Sequence, residues 1–399
     1  MRIALFSDNF YPELSGISDS IIALAKQLAV RGHEIGFFVP AYAPGDYAAA
    51  NVPVAEIDLG PHISVTRFDS FPFATGTGHG RFVVPTGFRA GALSRFRPDV
   101  IHTQQFFGVG LEALFASWLF AVPTVGTNHT ALKEFLKYSP IKSAWSDALI
   151  FNYMNWYYEH CDFVTAPSKS VFDEMVSLGF KNPRTQVISN PIDIQTFRPL
   201  TNKKTLKKKF GFTDTTIVHA GRLSDERNPE VLIKALAIIK KKIPTAMLAF
   251  AGKGTSEAKL RALAASLSLE NSVKFLGFVN QPTLNEIYNA AEVFAIASTG
   301  DTQSLVMMQA MAAGIPVVGV RARALPEYIN ARNGFIVEPN DERAMAERVA
   351  FLLAHPVDAR KLGRGARKYA EQFSEEAIAE QWEKIYEATI KDYNERHPA

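Results

Sequence analysis

Short apolar runs alternate with amphipathic stretches along almost the whole chain. Residues 2–6 form one such run, and after it Ile21, Leu24, Ala25 and Leu28 recur at helical spacing within residues 17–31. Gly32 stops that helix, and residues 34–39 resume as a strand. Runs at 100–102, 124–126, 163–165 and 186–188 continue the series. A second series of the same kind passes through 216–220, 230–239, 246–251, 257–266, 273–276, 284–290 and 293–297. Strands alternating with helices predict an α/β protein built on doubly wound parallel sheets, in two halves of similar size.

The stretch NPIDIQTFRPLTNKKTLKKKFGF interrupts this pattern. Its two prolines, and five lysines between Lys203 and Lys209, read as an exposed connection. The expected organisation is a domain over residues 1–196, a second over 197–373, and a helix over 374–399 that crosses back to the first. In that helix Ile378, Trp382, Ile385 and Thr389 share one face. Residues 68–98 are less regular and rich in glycine, as a long loop used for acceptor recognition would be. Arg81, Arg89, Arg95 and Arg97 lie in or beside it, as a solvated face or as contacts to an anionic surface.

Composition narrows the classes without naming one. The 399 residues carry 47% hydrophobic and 21% charged side chains, an ordinary globular balance. A formal net charge of +3 is too small to point to nucleic acid as the main partner. One cysteine, Cys161, excludes an internal disulfide and reads as a packed small hydrophobe. MRIALFSDNF reads as a first strand rather than a leader. The most apolar helical stretch, 111–122, is interrupted by Glu112 and Ser117 and falls short of the ~20 residues that span a bilayer. The expectation is a cytoplasmic protein, soluble or peripheral on the inner face of the plasma membrane.

Candidate chemistry collects after the strands, where open parallel sheets bind ligands. TGDTQSLVMMQAMAAGIPVVG reads as loop, short helix, tight stop at Gly314 and strand. Asp301, Thr302 and Ser304 are candidates to cap its first amides, and the amides from Thr302 to Leu305 suit phosphate and sugar hydroxyls. Arg222 and Arg227 follow the strand at 216–220, the turn from Gly252 to Gly254 follows 246–251, and Phe278 and Val279 follow 273–276. In the first half, Gly16 closes the loop after the first strand, and His129 follows 124–126. Paired guanidinium groups, glycine turns and a helix start form a diphosphate site. Taken singly, Arg222 reads as a surface ion pair, His129 as a loop histidine and Phe278 as core. The first strand is not followed by GxGxxG, and neither GxxxxGK[ST], HExxH, GxSxG nor a paired-cysteine site occurs. A tightly held metal is not indicated.

HAGRLSDER, AFAGKG, KFLGFV, the stretch around Leu305 and NGFIVEP, preceded by YPELSG, IHTQQFFGVG, GTNHT and VISNPID, resemble glycosyltransferase family 4 in their order. The resemblance implies the GT-B fold, two Rossmann-like domains facing across a cleft. It also implies retaining transfer of a hexose from a nucleotide-sugar co-substrate, with UDP-sugar favoured over GDP-sugar. Carried over by position, Gly16 and Gly254 meet the donor, His129 lies near the reacting carbon, and Arg222 and Arg227 hold the diphosphate. Phe278 and Val279 lie against the base, while Thr302, Gln303, Ser304 and Leu305 line the phosphates. Where the family usually has two glutamates, this chain has Asp301 on a shorter arm and the uncharged Gln309. TQSLV resembles the diacylglycerol glucosyltransferase branch, akin to phosphatidylinositol mannosyltransferases, which implies a membrane glycerolipid acceptor. Residues 133–160 interleave lysines with Phe135, Tyr138, Trp145, Phe151, Trp156 and Tyr157, which suits an anionic membrane surface or a packed interior. Two other readings remain: transfer to a soluble or polysaccharide acceptor, and a non-catalytic sugar-nucleotide-binding protein.

Overall fold

The structure, a computed structural model, describes residues 1–13, 15–50, 52–73, 80–87, 89–136 and 143–398. Leu14 of YPELSG, positions 74–79 of the glycine-rich stretch, Tyr138 and the side chain of Phe135 lie outside the described residues. The chain divides into two compact units, Met1–Pro191 with Glu375–Ala399, and Ile192–Ser374.

The first unit begins β1 (Arg2–Phe6), α1 (Gly16–Val30), β2 (Glu34–Pro40), α2 (Pro44–Ala49) and β3 (Ile63–Phe68). A two-stranded antiparallel ribbon, β4 (Phe71–Phe73) and β5 (Gly80–Phe82), precedes α3 (Ala90–Phe96). Then come β6 (Val100–Thr103), α4 (Gly108–Phe120), β7 (Thr124–Thr127), α5 (Leu132–Leu136) and α6 (Ala144–Glu159). β8 (Phe163–Ala166), α7 (Lys169–Ser177) and β9 (Thr185–Val187) follow. Seven parallel strands form one sheet in the order β3-β2-β1-β6-β7-β8-β9. The central strands are covered on both faces, which is why Ile3, Ala4 and Leu5 read as an unbroken apolar run. Phe6 stacks on Phe38 at 4.8 Å across the β1–β2 pair. The region expected to be one long loop, residues 68–98, instead contains the ribbon and α3 and begins at the last residue of β3.

The second unit contains α8 (Lys203–Phe210), β10 (Thr216–Ala220), α9 (Pro229–Lys240), β11 (Met247–Ala251), α10 (Glu257–Ser266) and β12 (Val273–Phe275). It continues with α11 (Gln281–Ala290), β13 (Val293–Ile296), α12 (Leu305–Ala312), β14 (Val317–Val320) and α13 (Leu325–Tyr328). β15 (Gly334–Val337), α14 (Glu342–Ala354) and α15 (Pro356–Ala370) complete it. Its six parallel strands run β12-β11-β10-β13-β14-β15. The lysine-rich stretch is a helix rather than an exposed connection. Leu206 is buried in the core, Lys203 Nζ bonds Glu292 and the Ala291 carbonyl at 2.8 Å each, and Lys207 bridges Asp214 and Glu292.

The last helix, α16 (Glu375–Arg396), packs in the first unit. Ile378, Trp382, Ile385 and Tyr386 are buried, and Glu383 accepts from Arg31 Nε and pairs with His33, each at 2.7 Å.

Candidate functional site

At the carboxyl edge of the second sheet, backbone bonds tie the loops to one another. Gly221 N donates to Ala251 O at 3.0 Å and Leu223 N to Lys253 O at 3.0 Å. Gly252 bridges Gly277, and Thr299 N donates to Glu226 O at 3.3 Å. Two glycines make this approach possible. A Cβ on Gly252 would lie 1.9 Å from Gly221 O, and one on Gly254 2.1 Å from Leu223 O. The sequence suggested that this turn lets backbone approach a ligand; the structure adds that its closest approach is to the neighbouring loop.

On this framework Arg222 is half in solvent, its side chain 50% exposed, with Glu226 at 3.7 Å. Phe278 is 63% exposed, so the reading of it as core is overturned, while Val279 packs against the core. Arg227 ends a 3-10 turn and pairs with Asp301, bringing together two residues 74 positions apart. Asp301 is 5% exposed, and its Oδ2 has no hydrogen-bond partner. The carboxylate expected at the sugar therefore has one oxygen on Arg227 and one unsatisfied.

α12 starts from Ser304, whose backbone is left-handed at φ 71 and ψ 80. Side-chain caps need an extended backbone at that position. Ser304 therefore makes no cap bond, and its buried Oγ has no partner. The capping expected of Asp301, Thr302 and Ser304 is absent: no side chain caps this helix start. Gln303 is buried, while Thr302, Leu305 and Gln309 are half-buried. Tyr288 OH donates to Val306 O at 2.9 Å and steadies the first turn. A Cβ at Gly221 would stand 3.8 Å from Val306, which sets the loop bearing Arg222 against the same turn. An uncapped helix start, a fixed cation and an outward aromatic ring can together take an anion joined to a planar ring.

The carboxyl edge of the first sheet has different chemistry. β1 lies beside β6, so the loops that follow them meet. Asp8 Oδ1 accepts from Val109 N at 2.9 Å at the start of α4, while its buried Oδ2 has no partner. Burial raises the Asp8 carboxyl to about 7, against amide bonds at the helix start that lower it. Gln105 donates to Asn9, and Asn9 donates to Glu13 at 2.6 Å. His129 Nε2 lies 2.8 Å from Gln104 Oε1, and burial lowers its imidazole to about 4. The neutral ring donates from Nε2 to that amide oxygen and leaves Nδ1 as an acceptor. Gln104 Nε2 and Gln105 Oε1 are buried without partners. Gly16, at the first position of α1, is exposed behind the Ser15 cap.

Of the residues singled out from sequence, Arg222, Arg227, Gly254, Phe278, Val279, Asp301 and residues 302–305 with Gln309 belong to the second unit. Gly16 and His129 belong to the first. Sequence reasoning passed over Asp8, Gln104 and Gln105. Their signal was their position directly after β1 and β6, where the strand-end rule already pointed. Among the described residues, no group of three or more His, Cys, Asp or Glu side chains is placed to hold a metal.

Comparison with known proteins gives concordant results. The family described as Glycosyltransferase Family 4 matches residues 14–196, and Glycosyl transferases group 1 matches residues 202–369. The chain is 27% identical over 325 residues to an alpha-monoglucosyldiacylglycerol synthase of Streptococcus pneumoniae, covering 80% of this chain and 70% of that one. It is 30% identical over 261 residues to the putative glycosyltransferase EpsD of Bacillus subtilis, covering 64% and 67%. The Anabaena HepE structure in complex with UDP-glucose superposes with a TM-score of 0.75 at 21% identity, over 97% of this chain and all of that one. The two parallel sheets are those of the GT-B fold, and the chain belongs to glycosyltransferase family 4, as a hexosyltransferase using a nucleotide-sugar donor.

Proposed function

We propose that this enzyme moves a hexose from a UDP-sugar to a hydroxyl of a membrane glycerolipid, with retention at the anomeric carbon. It would work peripherally at the cytoplasmic face of the plasma membrane. The observation that carries the donor half is the uncapped start of α12 beside the loop of the half-exposed Arg222. Phe278 is free to lie against the base. In this reading residues 197–373 take the donor and residues 1–196 the acceptor. The departing diphosphate oxygen takes the proton from the acceptor hydroxyl as that hydroxyl bonds to the anomeric carbon on the same face. No protein nucleophile is then required, and the main demand on the protein is electrostatic stabilisation of the leaving diphosphate. The Arg222 guanidinium and the Thr302–Leu305 amides supply it, with Arg227 sharing its charge between the diphosphate and Asp301. Burial keeps the His129 imidazole uncharged, which avoids a second cation beside an oxocarbenium-like centre. The name of the pneumococcal relative supports a lipid acceptor.

A donor panel with total lipid extract, read as UDP or GDP release, tests this. UDP release that requires lipid is expected, and Arg222→Ala should lower turnover by more than ~100-fold, the scale of losing one key electrostatic donor. Release of GDP alone, or release supported only by soluble acceptors, overturns the donor or acceptor assignment respectively. Near-normal turnover of the variant at saturating donor removes Arg222 from the mechanism.

A further inference from the structure

α12 has no charged residue of its own, with no acidic side chain in its first turn and no basic one in its last. The final carbonyls of a helix must find partners beyond it. Ala313 N donates to Gln309 O at 2.9 Å, Gly314 N to Met311 O at 2.9 Å and Ile315 N to Ala310 O at 3.3 Å. Ala312 O accepts instead from Arg367 Nη1 at 2.9 Å, and Arg367 lies 55 positions on, in α15.

Close backbone packing brings the arginine there. A Cβ on Gly363 would lie 2.2 Å from Gly314 O, so α15 rests directly on the turn that ends α12. Arg367 stands one helical turn after Gly363 and on the same face. Its Nη1 also donates to Phe197 O at 2.8 Å and to Ile194 O at 3.1 Å, and its Nε to Glu371 Oε1 at 2.8 Å. These bonds fix the guanidinium, which keeps 22% exposure, while Glu371 is 47% exposed.

The cation therefore sits at the negative pole of α12, and the uncapped start is its positive pole. Eight residues at about 1.5 Å each set the two poles roughly 12 Å apart. A bare helix carries about half a unit charge of each sign at its ends, so its far pole works against an anion held at its start. A full positive charge at that far pole more than cancels it. Glu371 opposes this from the solvent side, where water and salt screen it more strongly.

Resting on the donor site proposed above, we infer that Arg367 is a positioning residue for the donor diphosphate. It pins the carboxyl end of α12 and supplies from there a charge that strengthens anion binding at the other end. At about 12 Å and an effective dielectric near 40, each negative charge on the ligand gains roughly threefold in affinity.

Titration calorimetry on the full-length protein at low salt tests this, with UDP and UMP added directly and uridine by competition. Arg367→Met should weaken UDP roughly three- to tenfold, UMP less and uridine not at all, because the gain scales with ligand charge. Arg367→Lys keeps the charge and should return UDP affinity to within about twofold of wild type. Glu371→Gln removes the opposing charge and should bind UDP at least as tightly as wild type. Arg367→Gln is a second neutral variant, used if Arg367→Met fails to fold by circular dichroism. Equal weakening of UDP and uridine would mark Arg367 as a packing residue only and overturn the inference. Wild-type UDP affinity in the neutral variants, or weaker UDP binding by Glu371→Gln, overturns it as well. Arg222→Ala separates the two readings. If that variant keeps wild-type UDP affinity, the donor site itself is misassigned; if it weakens UDP while the neutral Arg367 variants do not, only the role of Arg367 falls.

Discussion

The ion pair between Arg227 and Asp301 joins the loop after β10 to the loop after β13, and removing its two ends should have unequal effects. Asp301 is only 5% exposed and its Oδ2 is already unsatisfied, whereas the Arg227 side chain keeps 22% exposure. Arg227→Ala leaves a buried carboxylate without a counter-charge. Loss of one partner of a buried pair costs about 3–5 kcal/mol, and the partial exposure of Arg227 places this site at the lower end. Asp301→Ala leaves a guanidinium that can turn toward water, for a cost of roughly 1–2 kcal/mol. The double variant strands no charge and should be at least ~1 kcal/mol more stable than Arg227→Ala alone.

Urea unfolding followed by far-ultraviolet circular dichroism measures this directly. The choice of probe matters, because Trp118, Trp145, Trp156 and Trp382 all lie in the first unit. Tryptophan fluorescence therefore reports the first unit, while circular dichroism also reports the helices of the second. If Arg227→Ala matches wild type, or if the double variant loses the simple sum of the single losses, the two side chains are not energetically coupled and the pairing is incidental.

Two other perturbations probe the edges of the two sheets. Gly254→Ala places a Cβ 2.1 Å from Leu223 O, so backbone must shift; a loss of about 1–3 kcal/mol and weaker UDP binding are expected, and unchanged melting would refute the loop-to-loop packing. Asp8 has a folded-state pKa of about 7 against an ordinary 3.8, so folding takes up a proton between those values and wild-type stability falls as pH rises through them, by up to ~1.4 kcal/mol per pH unit. Asp8→Asn cannot titrate, so its stability relative to wild type should climb from about pH 4 to about pH 7 and then level off; a flat difference in paired melts would show that Asp8 does not titrate abnormally.

The strands most legible in the sequence are those covered on both faces. β11 and β13 are unbroken apolar runs, β1 is one after Arg2, and β10 departs only at the buried Thr216 and His219, because each strand is covered on both faces. β3 was missed because ISVTRF mixes Ser64, Thr66 and Arg67 into an edge strand that is covered less completely. α8 was misread for a different reason: its lysines dominate the composition, while Leu206 and Phe210, four residues apart, carry the packing. In both cases a few apolar positions decided the structure against the local average.

The site divides along another line. Arg222 and Phe278 could be placed from sequence because a strand-end position needs only the local pattern. The engagement of Asp301 by Arg227 could not, since nothing local ties positions 74 residues apart. The left-handed Ser304 was hidden as well, because serine there suggests an ordinary cap. Asp8 shows where the missing information lies. Its partner Val109 is 101 positions away and meets it because the sheet order sets β6 next to β1. The same adjacency brings Gln105 to Asn9 and Gln104 N to Phe6 O at 2.9 Å. Local pattern thus sets which groups reach the carboxyl edge of a sheet, and strand order sets which of them satisfy one another. Among the buried polar atoms that this second step leaves without a hydrogen-bond partner are Asp8 Oδ2 and Gln104 Nε2 in one unit and Asp301 Oδ2 and Ser304 Oγ in the other, all at the carboxyl edges of their sheets.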